Sequence, residues 1–291
     1  MQEFDFCLIT PSYAPDYHRC QLLAWSIDAF APKTAKHYII VPKRDLHLFN
    51  QIKYRNTRII TVESILPWRQ LPLIKNCWFS FKHPVIRGWI IQQLIKLAAA
   101  EFITSNVFVF VDSDIAFIRP FDWNYFIRDG EVRLYRIPGN LCPQAPIGEK
   151  WNYNARRLLN LPSGTTPVTG YISQIMTWRS DNLKQLYKHI ETVSGRGWLE
   201  TVCSYWNLSE YVIYGVFVEE VLKASGHYYD SECICHEYWF NKQMSDVQLQ
   251  DFFSSIPEHN IAVMISAKAG ISVQKYENLV KNFHQSLENP P

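Results

Sequence analysis

Residues 107–114 read VFVFVDSD. Five apolar residues of β-branched and aromatic character, with no polar alternation, describe a strand buried on both faces. The run stops abruptly at two carboxylates, Asp112 and Asp114, on either side of Ser113. Immediately upstream, Ile90, Ile91, Leu94, Ile95, Ala98, Ala99 and Phe102 fall on one face of a helix expected over 88–102. Farther back, 6–10 reads as a strand, 17–30 as a helix, 37–41 as a strand, 45–52 as a short helix and 58–62 as a strand. Strand and helix in alternation are the sequence mark of parallel βαβ units, which bind ligands beyond the carboxyl ends of their strands. The expected fold class is therefore α/β, a mixed, mainly parallel sheet flanked by helices.

Downstream the pattern loosens. Residues 120–166 carry the turn clusters PGN, CPQAP and PSGTT around one helix expected at 149–159. Beyond them we expect a strand in 168–177, helices at 181–193, 198–206 and 210–224, a short segment at 233–236, a helix at 246–253, a strand at 261–265 and a final helix at 273–287. No internal repeat appears. The expected organisation is one domain over 1–291, with the 120–291 half holding the C-terminal helices.

The 291 residues are 47% hydrophobic and 19% charged, a composition that builds a core. Net charge is only +2, which excludes a chain wrapped by nucleic acid through a general positive field. The first 100 residues hold 13 basic and 6 acidic side chains and the rest 16 and 21, so the sign reverses along the chain. A phosphate-bearing ligand or an anionic surface suits the basic part; a solvated face of Lys33, Lys36, Lys43, Arg44, Lys53, Arg55 and Arg58 is the plainer account. The 10 Trp, 16 Tyr and 17 Phe offer flat rings to a ligand cleft as well as bulk for the core. Seven cysteines at 7, 20, 77, 142, 203, 233 and 235 lack metal-finger spacing, which favours a reducing compartment. MQEFDFCLIT has no signal-peptide pattern, and no run reaches the roughly 18 to 20 apolar residues of a membrane span. A cytoplasmic location is expected, compatible with a peripheral position at the inner membrane face.

Carboxylates at i and i+2 on extended backbone share a face and converge on one point. Mg²⁺ and Mn²⁺ prefer such oxygen ligands and are commonly held by one or two carboxylates plus nucleotide phosphates. Asp112 and Asp114 are the candidate metal ligands; the alternative is a capped turn in which Asp114 bonds local amides. His236, in CICHEYW, is the candidate third ligand, against a structural histidine packed among aromatics. Thr10, Pro11, Ser12 and Tyr13, at the first strand end, are candidates to carry a nucleobase and ribose.

FVFVDSDIAFIRPF resembles the DxD region of GT-A fold glycosyltransferases. RGWIIQQLIKLAAAE, LITPSYAPDYHRC, TGYISQIMTWRSDNLKQL and LSEYVIYGVFVEEV resemble a bacterial branch of that superfamily labelled DUF6492, so the likeness spans nearly the whole chain. It implies a GT-A-like, Rossmann-like fold with a nucleotide-sugar-binding half at 1–119 and an acceptor-side half at 120–291. It implies transfer of a hexosyl group from a nucleoside-diphosphate sugar, UDP foremost, with Mn²⁺ or Mg²⁺, to a glycan, lipid-linked or small-molecule acceptor. Asp112 and Ser113 would then meet ribose or metal, and Asp114 the metal. Arg87 and Gln92 would face ribose or diphosphate. Lys268, in ISAKAG, would contact diphosphate, although the histidine motif frequent in that late loop is absent. Glu210 stands where inverting members place a base, Glu219 and Glu220 are further carboxylates in reach of that role, and Ser209 with Glu210 reads equally as a helix cap. The Thr169-Gly170-Tyr171 turn resembles the small-residue segment that lets an acceptor approach.

Two other classes compete. A haloacid-dehalogenase-like phosphohydrolase also uses strand-DxD, with Asp112 as nucleophile, but its motif lies on the first core strand and continues differently from Ile115-Ala116. A non-catalytic carbohydrate-binding protein explains the aromatic content without chemistry and needs neither metal nor nucleotide.

Overall fold

The computed structural model describes residues 4–288 except 72–76, 82–84, 140–144 and 165–166. Cys142 lies outside them. The fold is mixed α/β, with a central sheet rich in parallel pairing and flanked by helices. Five strands stand in the spatial order Ile175–Arg179, Val107–Val111, Phe6–Pro11, Lys36–Val41, Thr57–Thr61. Phe6–Pro11 and Lys36–Val41 are parallel, with Cys7 opposite Lys36 and Pro11 opposite Ile40. Val107–Val111 is buried at every residue, as its unalternating sequence predicts.

Contact density divides the chain into two compact units, each built from three segments, and neither follows the 119/120 boundary. The first comprises Met1–Phe6, Thr61–Val109 and Phe126–Ser231. It contains the sheet His227–Asp230, Glu131–Tyr135, Ile127–Arg128 and the antiparallel sheet Arg69–Gln70, Cys77–Phe79, Ile86–Arg87. Its helices include Gly88–Leu97, Ser180–Ser194 and Glu210–Val216. Fully buried Trp178 stacks on Tyr214 with ring centroids 4.5 Å apart, an apolar anchor of this unit.

The second unit comprises Cys7–Ile60, Phe110–Tyr125 and Glu232–Pro291. In it the helix Tyr17–Phe30 packs on the strand Ile115–Phe117, where the Phe117 amide donates to Ser26 Oγ at 3.0 Å. That strand pairs antiparallel with Ala262–Ile265, which pairs parallel with Cys235–Tyr238. Leu22, Ile118, Val263, Ile265, Phe253 and Val280 lie at the centre of its core.

Several expectations are corrected. The helix expected over 88–102 is two pieces, Gly88–Leu97 and Ala99–Phe102, joined through Ala98. The strand expected from 168 starts only at Ile175; before it, Gly170 forms an isolated bridge with Ile137. The helix expected over 210–224 ends at Val216 and widens into a π-turn over Phe217–Val221, and Lys223 and Ala224 take positive φ. The loose middle contains the strands Ile127–Arg128 and Glu131–Tyr135.

Candidate functional site

The VFVFV strand ends at Val111, and the Ile115 amide donates to the Asp112 carbonyl at 3.2 Å. Residues 112–115 are thus a turn, within which the charge of Asp112 acts on Asp114, and not the extended backbone on which residues two apart share a face. Asp114 fixes this turn to a second loop. Its Oδ2 accepts the Ala267 amide at 3.1 Å and its carbonyl accepts the Ile265 amide at 3.3 Å. Burial, then the neighbouring charge of Asp112, pushes the Asp114 carboxyl up to about 6, against the opposing pull of the Ala267 amide.

A third carboxylate joins them. Asp16, at the end of the short helix Ala14–Asp16, is held above the usual carboxylate range by burial, with Arg19 opposing and Asp112 adding to the rise. Arg19 Nη1 lies 3.5 Å from Asp16 Oδ1, and its Nη2 donates to the Ile271 carbonyl at 3.2 Å. Arg19, Ser113, Asp114 and buried Tyr276 line one small crevice. After burial, Asp112 and Asp16 both raise the proton affinity of Asp114, and Asp112 also raises that of Asp16, so negative charge is concentrated beside the Arg19 guanidinium.

Lys268 sits on the same construction. It is exposed, in the short turn Ala267–Ala269, and its amide donates to Ser266 Oγ at 3.3 Å. Gly270 closes that turn at φ +68°, a conformation that glycine adopts without penalty. Tyr13 is half-buried; burial and the charge of Asp16 hold its hydroxyl above its ordinary value. The other residues of the first strand end face inward. Thr10 is fully buried with Oγ1 2.9 Å from His37 Nε2, Pro11 is buried, and buried Ser12 donates its amide to the Ile40 carbonyl. Those three position the loop; Tyr13 is the one that reaches its surface.

His236 does not complete a metal set. Its ring lies against Phe252 with centroids 4.4 Å apart, and burial lowers its pKa. Among the described residues no three His, Cys, Asp or Glu side chains are gathered as a metal centre. Cys233 donates to Glu237 Oε1 at 3.2 Å, an arrangement internal to its own loop.

The remaining predicted residues belong to the first unit. Arg87 is exposed, just before the helix Gly88–Leu97, and Gln92 is half-buried in it. Glu210 is buried, with Oε1 3.1 Å from Lys96 Nζ; that ammonium donates to Tyr211 Oη at 2.7 Å and lies 4.5 Å from the Tyr211 ring centre. The carboxylate read as a base thus neutralises a buried lysine. Ser209 precedes its helix without a side-chain cap bond. Glu219 is gripped by Arg136, whose Nε and Nη2 donate at 2.8 and 2.7 Å, and by the Tyr171 hydroxyl. Burial raises its pKa, but the bonds from Arg136 and Tyr171 outweigh this and hold it below the usual range. Glu220 accepts from Arg156 at 2.9 Å. Ionised and donor-saturated, Glu219 is built to hold Tyr171, not to take up a proton.

Sequence reading missed Asp16, Arg19 and Tyr276 as companions of the Asp-x-Asp turn. Asp16 and Arg19 lie in the quoted PDYHRC segment, and an acidic residue in the loop after the first strand was the available signal.

The fold and this turn define an α/β protein in which two carboxylates, Asp112 and Asp114, follow the carboxyl end of a buried strand. The chain belongs to the family of unknown function DUF6492, whose model matches residues 6–288. Comparison with the curated proteins returns no match.

Proposed function

We propose that this protein is a glycosyltransferase that moves a sugar from a nucleoside-diphosphate donor with the help of a divalent cation. The observation that carries the reading is the turn at Asp112 and Asp114, where burial and then the charge of Asp112 raise the Asp114 carboxyl to about 6, beside the loop that bears Lys268. Hard oxygen donors fit Mg²⁺ or Mn²⁺, ions commonly held by one or two carboxylates that complete their coordination through water and phosphate oxygens. Such a cation supplies Lewis-acid stabilisation for the charge that collects on a departing diphosphate.

The chain's own residues account for the rest. Asp112 and Asp114 hold the ion, and the Ala267 amide fixes one Asp114 oxygen so that the turn is ordered beforehand. Lys268 brings a flexible positive charge to the same loop, suited to phosphate oxygens. Tyr13 offers a ring for a base. The acceptor is a glycan, a lipid-linked sugar or a small molecule.

The test is thermal unfolding with UDP-, GDP- and CMP-sugars, each with and without Mn²⁺, because ligands that bind the native state raise its stability by mass action. At least one sugar nucleotide should raise Tm with Mn²⁺ and not without it, and Asp114→Asn should erase that rise while keeping the bond to Ala267. A Tm rise from free sugar alone, indifferent to Mn²⁺ and nucleotide, would replace the transferase with a carbohydrate-binding protein.

A further inference from the structure

We propose that the small sheet Arg69–Gln70, Cys77–Phe79, Ile86–Arg87 seats the protein on an anionic phospholipid surface. Its register places Arg69 opposite Phe79 and Cys77 opposite Arg87. Opposed residues and residues two apart share a side, so Arg69, Cys77, Phe79 and Arg87 form one face and Gln70, Trp78 and Ile86 the other. The second face is the inner one: Trp78 and Ile86 are buried. The first turns outward, with both arginines exposed. From Phe79 the face continues to Phe81, whose ring meets Phe79 edge-on at 5.1 Å and is 92% exposed. Val85 and Trp89, just before and after Arg87 in the chain, are about half exposed.

The charge of the segment selects the occupant. Residues 64–100 contain Arg69, Lys75, Lys82, Arg87 and Lys96 and no aspartate or glutamate. Of these, Lys96 is buried against Glu210. Arg69 and Arg87 at an outward sheet face, next to a projecting aromatic ring, are the pattern of an interfacial anchor: arginines meet headgroup phosphates while rings enter the boundary below them. An acidic protein would satisfy the arginines, but a ring standing this far out needs a matching pocket in a protein partner and none in lipid. No described helix is long and apolar enough to cross a membrane, so attachment here is through this face and not through a span. The inference is independent of the chemistry proposed at Asp112 and Asp114.

The full chain is sedimented with phosphatidylcholine vesicles and with vesicles containing equal parts phosphatidylcholine and phosphatidylglycerol. It should pellet with the second and not the first, and added salt should release it. Arg69→Gln and Arg87→Gln should each weaken binding about fivefold, the equivalent of about 1 kcal/mol per cation near the surface. Phe81→Ser should weaken it by roughly tenfold through lost apolar burial. Because all three side chains are exposed, Tm should not move, which separates loss of binding from loss of fold. Equal pelleting with neutral vesicles, no pelleting, or pelleting that ignores all three substitutions would overturn the proposal. So would a Phe81→Ser variant that changes the sedimentation coefficient of the protein alone, for the face would then be a contact between copies.

Discussion

Glu210→Gln tests whether this carboxylate serves the fold or a substrate. Lys96 is 4% exposed, and its ammonium has Glu210 Oε1 at 3.1 Å and Tyr211 Oη at 2.7 Å. Glutamine keeps the shape and the oxygen but removes the negative charge that faces the buried ammonium at 3.1 Å. Breaking a buried ion pair from one side costs about 3 to 5 kcal/mol. That is a large part of a whole stability of roughly 5 to 15 kcal/mol. With a urea slope of about 3 kcal/mol per M, the midpoint should fall by roughly 1 to 1.7 M. Lys96→Met should cost a similar amount by stranding the carboxylate, while the double variant Lys96→Met with Glu210→Leu should recover most of the loss, since apolar replacement of both partners is close to neutral. The measurement is equilibrium urea unfolding of the four proteins by fluorescence and circular dichroism. Additive single losses in the double variant would refute the pairing argument. A Glu210→Gln protein of unchanged midpoint that lost a donor-dependent turnover would refute it more sharply, because the carboxylate would then act on a substrate.

Other consequences follow from the same packing. Buried His37 and His227 have their pKa values lowered by burial to about 3 and about 4. Depressed histidines bind fewer protons folded than unfolded, so the stability they protect is complete above about 6.5 and is lost as pH falls toward those values; each should cost about 2 kcal/mol between pH 7 and pH 5. Asp114, raised to about 6, acts in the opposite sense over that window, so the check is the difference in pH slope between the parent and His37→Gln or His227→Gln, which should be flatter. Gly215→Ala would set a Cβ 2.3 Å from the Tyr171 ring. It should destabilise by about 1 to 3 kcal/mol, and in a Tyr171→Ala background the same change should be neutral or stabilising because alanine favours helix; equal losses in both backgrounds would contradict the contact. Removing Mn²⁺ with a chelator should return the Tm of the sugar-nucleotide complex to that of the free protein, whatever the nucleotide concentration.

Regular elements were legible wherever the chain signals its own period. Residues 17–30 and 107–111 match the helix and strand found there, because a continuous apolar stripe and an unalternating VFVFV run depend on burial alone. Several of the missed elements are strands too short to signal a period, and they owe their form to pairing with a neighbouring strand. Arg69–Gln70 and Ile86–Arg87 are two residues long and exist only through pairing with Cys77–Phe79, and Ile127–Arg128 exists through Glu131–Tyr135. The end of the helix after Val216 is also tertiary: the π-turn over Phe217–Val221 carries Glu219 and Glu220, which accept bonds from Arg136 and Arg156.

The site shows the same division. Asp112 and Asp114 stand out in the sequence because they end an unbroken apolar strand, and the structure places them in the turn that follows it. What sequence could not supply is which charges share their space. Asp16 lies 96 residues before Asp112 in the chain, yet each acts on the proton affinity of the shared cluster. Conversely, CICHEYW offered His236 a ligand's chemistry, and only the fold sets that ring on Phe252. Glu210 illustrates the point most sharply. Its position at the start of a helix is compatible with a base or a cap, and the fold assigns it to neither, because Lys96, on a helix that begins more than 100 residues earlier, needs a counter-charge once it is buried. A carboxylate in a sequence advertises reactivity; burial and the nearest cation decide whether that reactivity is available. By that criterion Glu210 and Glu219, each matched by its own cation, are not available to a substrate, whereas Asp114, raised to about 6 by burial and then by the charge of Asp112, keeps a carboxyl that a bound cation would draw into its ionised form.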